Sequence, residues 1–446
     1  MPDQPILISP VEQIVASSDL VQPTRLWNRN YLLVWQGQFI SRLGDQAFNI
    51  ALVLWIVHAT GSATLMGLMV MVLSIPALIL APVGGAIADR YPRRTIIIAC
   101  DLLSGIAVLS LAAVLFIAPQ ATEVTLVWLF IVSLCLTILT AFFGPAISAS
   151  IPDLVPKERV ASANSMGQFS AQISVFIGQG IGGTLFRILG APIMFLFDGL
   201  SFLFAAASTS LATIPQRIPE HSGGWQHRFA EFKKDLVEGL RYVWTSTGLK
   251  GLVLISAVYS FFAAPILLLL PFYVDDYLQV STDWYGFLLA ALGIGELIGY
   301  LVVGVTRPSG RARGRAILVM LFLDAIGYGL FVLTQSPYLA LVLALMIGMI
   351  GGFVTVNITT LVQLTTPGLI RGRVFGLLGT ISGSIMPIAA GLSGVVADLT
   401  GRNIPLIYLT CSAGLMLLAV MVTFNREVRG FLAYEPKAAV AQESKP

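Results

Sequence analysis

Of the 446 residues, 56% are hydrophobic and 11% are charged, with a mean hydropathy of +0.85. A soluble globular domain carries about 25% charged residues, so that class is excluded and the chain reads as an integral membrane protein. The formal net charge of +3 is spread along the chain rather than gathered in a patch, which excludes a nucleic-acid partner.

The chain opens on a polar stretch, Met1 to Pro23, with no early apolar core; no cleavable leader is expected there, and residues 1–24 read as a disordered tail. About twelve apolar stretches follow, near 31–58, 65–88, 95–117, 124–150, 165–189, 191–214, 250–274, 284–306, 316–334, 337–362, 374–396 and 404–424. Each reaches the ~20 residues that a helix needs to cross ~30 Å of hydrocarbon. An even count places both termini on one side. Of the 26 lysines and arginines, only Arg42, Arg187 and Arg402 fall outside the tails and loops of that side, so it is predicted to be cytoplasmic. The expected location is the cytoplasmic (inner) membrane, multi-pass, with lipid as the surrounding partner and a monomer as the working unit.

Between spans 6 and 7 lies the one long interior polar segment, residues 215–249. It divides a six-span unit, 25–214, from a second, 250–425, which the tail 426–446 follows. In this linker Phe229, Phe232, Leu236, Leu240 and Val243 recur at helical spacing among basic residues. That pattern predicts an amphipathic helix on the inner leaflet, or equally one packed on the protein's own cytoplasmic face. The two units echo each other. Gly183 and Gly190 correspond to Gly394 and Gly401, the basic loop after span 2 to Arg307–Arg315, Asp101 to Asp324, and Lys157-Glu158-Arg159-Val160 to Arg371-Gly372-Arg373-Val374. Such repeats suit transporters, which place a site at the repeat interface.

The strongest motif closes span 2: Gly85-Ala86-Ile87-Ala88-Asp89-Arg90-Tyr91-Pro92-Arg93-Arg94. It resembles the signature loop of the major facilitator superfamily, Gly-x-x-x-Asp-Arg-x-x-Arg-Arg. Leu43-Gly44-Asp45, Leu154-Val155-Pro156 with Ala163-Asn164, Asp198-Gly199-Leu200-Ser201-Phe202 and Glu238-Gly239-Leu240-Arg241-Tyr242 are similar to the branch of macrolide-efflux and enterobactin-exporter proteins. The resemblance implies an all-α membrane protein of twelve transmembrane helices in two pseudo-symmetric six-helix bundles, commonly a proton-coupled exporter. Gly178-Gln179-Gly180-Ile181-Gly182-Gly183 is similar to the antiporter motif Gly-Pro-x-x-Gly-Gly, with Gln179 in the proline position. Read without the resemblance, Gly178, Gly182 and Gly183 form a face for close helix packing.

Ionisable residues inside spans are costly in lipid and are therefore functional candidates. Asp45 shares a helix face with Gln38, Ser41, Arg42 and Asn49; it is the candidate proton carrier, paired with Arg42 three residues away, or else half of a structural ion pair. Glu296, between Gly295 and Gly299, is a second titrating group, a substrate contact or an interhelical bond. Asp101 and Asp324 are expected to latch onto the basic loops as gates, and Asp198, near Arg187 in sequence, to be structural. Gln38, Asn49, Phe142, Phe143, Tyr259, Phe262, Asn357, Gln363 and Met386 are candidates for an amphipathic substrate cavity, since aromatic and methionine surfaces repack around variable ligands. Trp27, Trp35 and Trp55 read as interfacial anchors.

No cofactor is expected. Cys100, Cys135 and Cys411 lie inside apolar spans and form no disulfide framework; His58, His221 and His227 have no metal-ligand spacing; no phosphate-binding loop is present. The expected activity is secondary transport, with protons exchanged for an amphipathic small molecule such as a macrolide-like drug or a siderophore. The alternatives are a gradient-driven uniporter or lipid flippase on the same scaffold, and a polytopic membrane enzyme, for which neither HExxH nor GxSxG is present.

Overall fold

The computed structural model describes residues 25–215, 240–366 and 368–435. Residues 1–24, the linker positions Phe229, Phe232 and Leu236, and the tail from 436 onward lie outside the described residues. Among those described, every regular element is a helix. They run α1 (Arg29–Thr60), α2 (Ala63–Arg90), α3 (Arg93–Ile117), α4 (Thr122–Leu154), then Val160–Ser210, which Gly190 (φ 72°) breaks into α5 (160–189) and α6 (191–210). After the linker come α7 (Thr247–Leu268), α8 (Asp283–Thr306), α9 (Gly310–Leu333), α10 (Pro337–Thr365), α11 (Gly368–Leu399), α12 (Ile404–Phe424) and a short α13 (Arg426–Leu432).

Ten helical segments are long and apolar enough to span a bilayer. One of them is the α5–α6 pair, and α2 contributes a further apolar helix over Ala63–Pro76, which brings the spans to twelve. Their ends follow from local chemistry. Asn28, Ser62, Ser246, Ser336 and Asn403 each accept a backbone N–H of the first turn, capping α1, α2, α7, α10 and α12, and so satisfy donors that have no partner within the helix. Gly61 (φ 62°) and Gly401 (φ 64°) take left-handed turns after α1 and α11, a conformation open to glycine at no steric cost.

The packing repeats with an offset of six helices. In the first half α1 meets the α5–α6 segment, α2 meets α4, and α3 meets α4 and α6; in the second, α7 meets α11 and α12, α8 meets α10, and α9 meets α10 and α12. The main helix contacts between halves, α2 with α11 and α5 with α8, are interchanged by the same operation. Single residues obey it as well. At Gly183 of α5 an added Cβ would stand 2.8 Å from the Thr282 carbonyl at the start of α8; at Gly394 of α11 it would stand 2.9 Å from the Ala63 carbonyl carbon at the start of α2. Glycine is needed at both places because backbone meets backbone. Apolar side chains such as Ile106, Val127 and Leu301 are exposed on the outer surface, where acyl chains replace water.

Two segments cover the end of the bundle at which the described chain begins, at Arg25, and ends, at Glu435, here termed the proximal end. Residues 240–245, the described end of the linker, are helical, and Val243 is buried in one cluster with Leu249 and Val362, so this part packs on the protein itself. The α13 helix lies against α7, with Phe431 over Gly248 and Val428 over Gly251. Arg313, 3% exposed, holds α13 in place: its guanidinium donates to the carbonyls of Leu432 and Tyr434. Arg313→Ala leaves those carbonyls without their charged donor, an expected cost of about 1–3 kcal/mol. Limited proteolysis should then remove the residues after Asn425 faster, with the melting of the membrane core nearly unchanged.

Candidate functional site

A cavity of about 550 Å³ lies between the halves. From the first half α1 supplies Gln46 and Asn49, and α5 supplies Gln172 and Gln179; α8 of the second half supplies Glu296 and Tyr300. Tyr259, Leu292 and Ile347 give it apolar surface. The Tyr300 hydroxyl donates to Glu296, one helical turn away. The cavity therefore offers amides, one carboxylate and aromatic faces together, which is the mixed chemistry of small-molecule sites.

The opposite, distal end is shut. Asp398 of α11 accepts from the backbone N–H of Ala63 (3.1 Å) and Thr64 (2.9 Å) and from the Ser62 hydroxyl (2.8 Å). A carboxylate is thereby placed on the N-terminus of a helix belonging to the other half. At the equivalent place Arg187 of α5 pairs with Asp283 of α8 at 2.9 Å. His58 at the end of α1 lies 3.3 Å from Asp275, and Arg402 lies 3.3 Å from Asp276. Beneath these pairs one buried cluster joins Leu54, Met66 and Phe195 of the first half to Phe272, Tyr273 and Tyr408 of the second. Two to three turns below the distal end the halves still touch at Met71–Gly391 and Gln179–Gly293.

The residues singled out from the sequence scatter over several environments. Asn49, Tyr259 and Glu296 line the central cavity. Asp45 does not; it is half-buried inside the first half, within electrostatic reach of Arg42, Asp101 and Asp198. The expected Arg42–Asp45 ion pair is not formed: Arg42 Nη1 donates to the Gly167 carbonyl at 2.6 Å. Asp198, fully buried, packs on Gly44 beside Ser201, away from Arg187, whose partner is Asp283. Asp101 and Asp324 correct their expected latch role as well. Asp101 accepts from Gln38 of α1 at 3.2 Å, and Asp324 accepts from the Tyr259 hydroxyl of α7 at 2.8 Å, so each joins two helices of its own half at mid-depth.

Other cavity candidates lie elsewhere. The Asn357 amide donates to the Phe353 carbonyl of its own helix. Phe262 stacks over Gly414 and Phe143 packs in a proximal cluster, while Phe142 and Gln363 line no described cavity. Met386 is 45% exposed and likewise lines none. Trp27 is exposed and stands edge-on to Trp35, whereas Trp55 packs against the distal core. In the signature loop Arg93 pairs with Asp153 at 2.7 Å and donates to the Ala149 carbonyl, while Arg94 reaches the Ser210 carbonyl; both tie the loop to its own half. The surroundings of Gly85 and the side chains of Asp89 and Arg90 lie outside what is described. The close approach of α2 to α4 falls at Gly84, which faces Ala141 and Phe142. In the glycine motif Gly178 and Gly182 face Gln46 and Ile50 of α1, and Gly183 faces α8.

Sequence reasoning missed Gln46, Gln172 and Tyr300 in the cavity and His58, Asp275, Asp276, Asp283 and Asp398 at the closed end. One signal for Asp398 was present, since it stands four residues after Gly394 as Arg187 stands four after Gly183. Among the described residues no cluster of three or more His, Cys, Asp or Glu is placed to hold a metal.

The family model of the Major Facilitator Superfamily matches residues 34–391. The chain belongs to that superfamily. This member is 27% identical to macrolide efflux protein A of Streptococcus pyogenes over 381 residues, 84% of this chain and 91% of that one. It is 26% identical to the multidrug efflux pump Tap of Mycolicibacterium fortuitum, covering 89% and 96%, and 25% identical to the enterobactin exporter EntS of Escherichia coli O139:H28, covering 88% and 92%. Among solved structures the same fold is found in a bacterial homologue of the iron transporter ferroportin in an inward-facing state (TM-score 0.67, 14% identity, 90% of this chain and 100% of that one). A peptide transporter, POT, superposes with a TM-score of 0.69 at 12% identity, covering 94% and 99%. This superfamily member is thus a multi-pass membrane transporter.

Proposed function

We propose that the protein exports amphipathic small molecules by alternating access, in exchange for protons. The observation that carries this reading is the mixed polar and aromatic cavity between two halves that are clasped at one end. The proximal end is taken as cytoplasmic because it gathers the positive charge. The present form then faces inward, and rocking of the halves about the cavity would expose it to the other side. Export, rather than uptake, is supported by relatives that are named as efflux pumps and an exporter. Glu296 is the cavity's carboxylate and contacts the substrate. Asp45, with Asp101 and Asp198 beside it and Arg42 near, carries the proton in the interior of the first half, one turn from the cavity residue Asn49.

The test is uptake into inverted vesicles of a panel of dyes, macrolides and iron chelators, with and without an imposed pH gradient. At least one compound should accumulate several-fold when the gradient is present. Asp45→Asn should abolish the gradient's contribution and leave downhill exchange of the same compound intact. Undiminished coupling in that variant would remove Asp45 from the mechanism. Transport indifferent to the gradient in the unaltered protein would favour a uniporter or flippase.

A further inference from the structure

A second cavity of about 540 Å³ lies inside the second half, enclosed by α7, α9, α10, α11 and α12 and floored by Leu432 of α13. It adjoins the central cavity at Tyr259, Gly351 and Thr355, which border both. Its walls are mostly apolar, with Ile255, Ile317, Ile350 and Val354 among them, and also carry the hydroxyls of Ser256, Ser260, Thr355 and Thr359. Into these walls is set one carboxylate, Asp324, 1% exposed. Its Oδ2 accepts from the Tyr259 hydroxyl, and its Oδ1 has no partner among the described residues. Among the described residues no lysine, arginine or histidine lines the chamber, and the titratable groups beside Asp324 are the phenols of Tyr259 and Tyr328.

An acid held in apolar surroundings without a cation or a full set of hydrogen bonds is costly and marks a functional position. The duplicated half fills the equivalent space. There Gln38 bonds Asp101 as Tyr259 bonds Asp324. Four residues beyond Gln38, α1 carries Arg42, which lines a cavity of only about 50 Å³. Four residues beyond Tyr259, α7 carries Ala263. The first half is filled, with Arg42 turned to the Gly167 carbonyl; the second is roomy.

We propose that the chamber of the second half binds a lipophilic monocation, such as an aliphatic or aryl-alkyl ammonium, with its charge on Asp324 and its apolar body against the α7, α9 and α10 walls. A volume of this size holds a drug-sized molecule. A charge pair shielded from water discriminates strongly between a cation and a neutral isostere.

The probes are a radiolabelled phenylalkyl-trimethylammonium ion and its uncharged tert-butyl isostere, measured by equilibrium binding to the full-length protein in lipid nanodiscs. The cation should bind at least about tenfold more tightly than the isostere. Asp324→Asn should erase that preference while leaving isostere binding unchanged, and Asp324→Glu should restore much of it. Gly379→Leu fills the chamber from a position where an added Cβ meets nothing within 4 Å; it should abolish binding of both probes in a normally folded protein. Equal affinity for cation and isostere, or cation binding unaffected by Gly379→Leu, would overturn the proposal even if Asp324→Asn failed to fold. The readout is binding, so a protein that binds the cation yet exports nothing would refute the transport reading and leave this one standing.

Discussion

Gly352→Leu is expected to leave almost no folded protein in the membrane. Helices α8 and α10 cross with glycine on both sides. An added Cβ at Gly352 would stand 2.9 Å from the Glu296 carbonyl carbon and 3.0 Å from its Cα, and one at Gly348 would stand 2.8 Å from the Leu292 carbonyl carbon. Looking back from α8, Cβ atoms at Gly295 and Gly299 would stand 2.8 Å from the Met349 nitrogen and 2.7 Å from the Phe353 nitrogen. All of these neighbours are backbone atoms, so no side chain can turn aside. In lipid, helix association rests on such close packing rather than on water exclusion. Forcing the pair apart forfeits dispersion contacts along the whole crossing, and overpacking of this kind typically costs 1–3 kcal/mol or more per site. Against a total stability of about 5–15 kcal/mol, a leucine here should cut the monodisperse fraction in detergent to about a tenth or less, with Gly352→Ala intermediate. The carboxylate of Glu296 would also lose its position in the cavity, because its backbone is the surface that Gly352 packs on.

The same change at Gly394 should do something different. Gly394 of α11 meets Ala63 and Thr64 of α2 across the boundary between halves, not inside one. Each half keeps its own core, so Gly394→Leu should reach the membrane at normal levels. What it removes is the clasped distal state, including the Asp398 cap on α2. A clash of about 3 kcal/mol in one of two conformations shifts their ratio by roughly 150-fold. Transport should therefore fall by about two orders of magnitude, while a Ser62→Cys reporter in that background becomes reactive to a maleimide applied from the distal side. Gly183→Leu, at the equivalent position, should behave alike. Undiminished transport by either variant would mean that the clasped form is not part of the cycle.

Much of this architecture is legible in the sequence because the bilayer enforces it. Span length, the even count, the side that gathers arginines and the break at Gly190 each follow from a single physical demand on one segment. The pairing of Gly183 with Gly394 was visible as a repeat, and the structure shows each of them at a contact between halves. Helix rotation was much less legible. A soluble helix declares its inner face by an apolar stripe, but in a membrane the outer face is apolar too, so Met386 and Asn49 look equally able to face a cavity. Polar partners were obscured for the same reason. Gln38 and Tyr259 read as substrate contacts, although each bonds a buried aspartate of its own half, and nothing local in the sequence told Arg42 to choose the Gly167 carbonyl over Asp45. Distal charges gain meaning only when distant segments are brought together, the end of α1 onto Asp275 and the turn between α11 and α12 onto Asp276.

The most direct test of the two-half account is a pair of distances measured by electron–electron double resonance in a chain freed of Cys100, Cys135 and Cys411. One pair of spin labels sits at the distal end on Gln120 and Gln335, the other at the proximal end on Glu158 and Arg311; all four sites are exposed. On addition of a transported compound under a pH gradient, the account predicts that the distal distance lengthens while the proximal distance shortens, each by several ångströms. Two distances that stay fixed, or that change in the same direction, would contradict it.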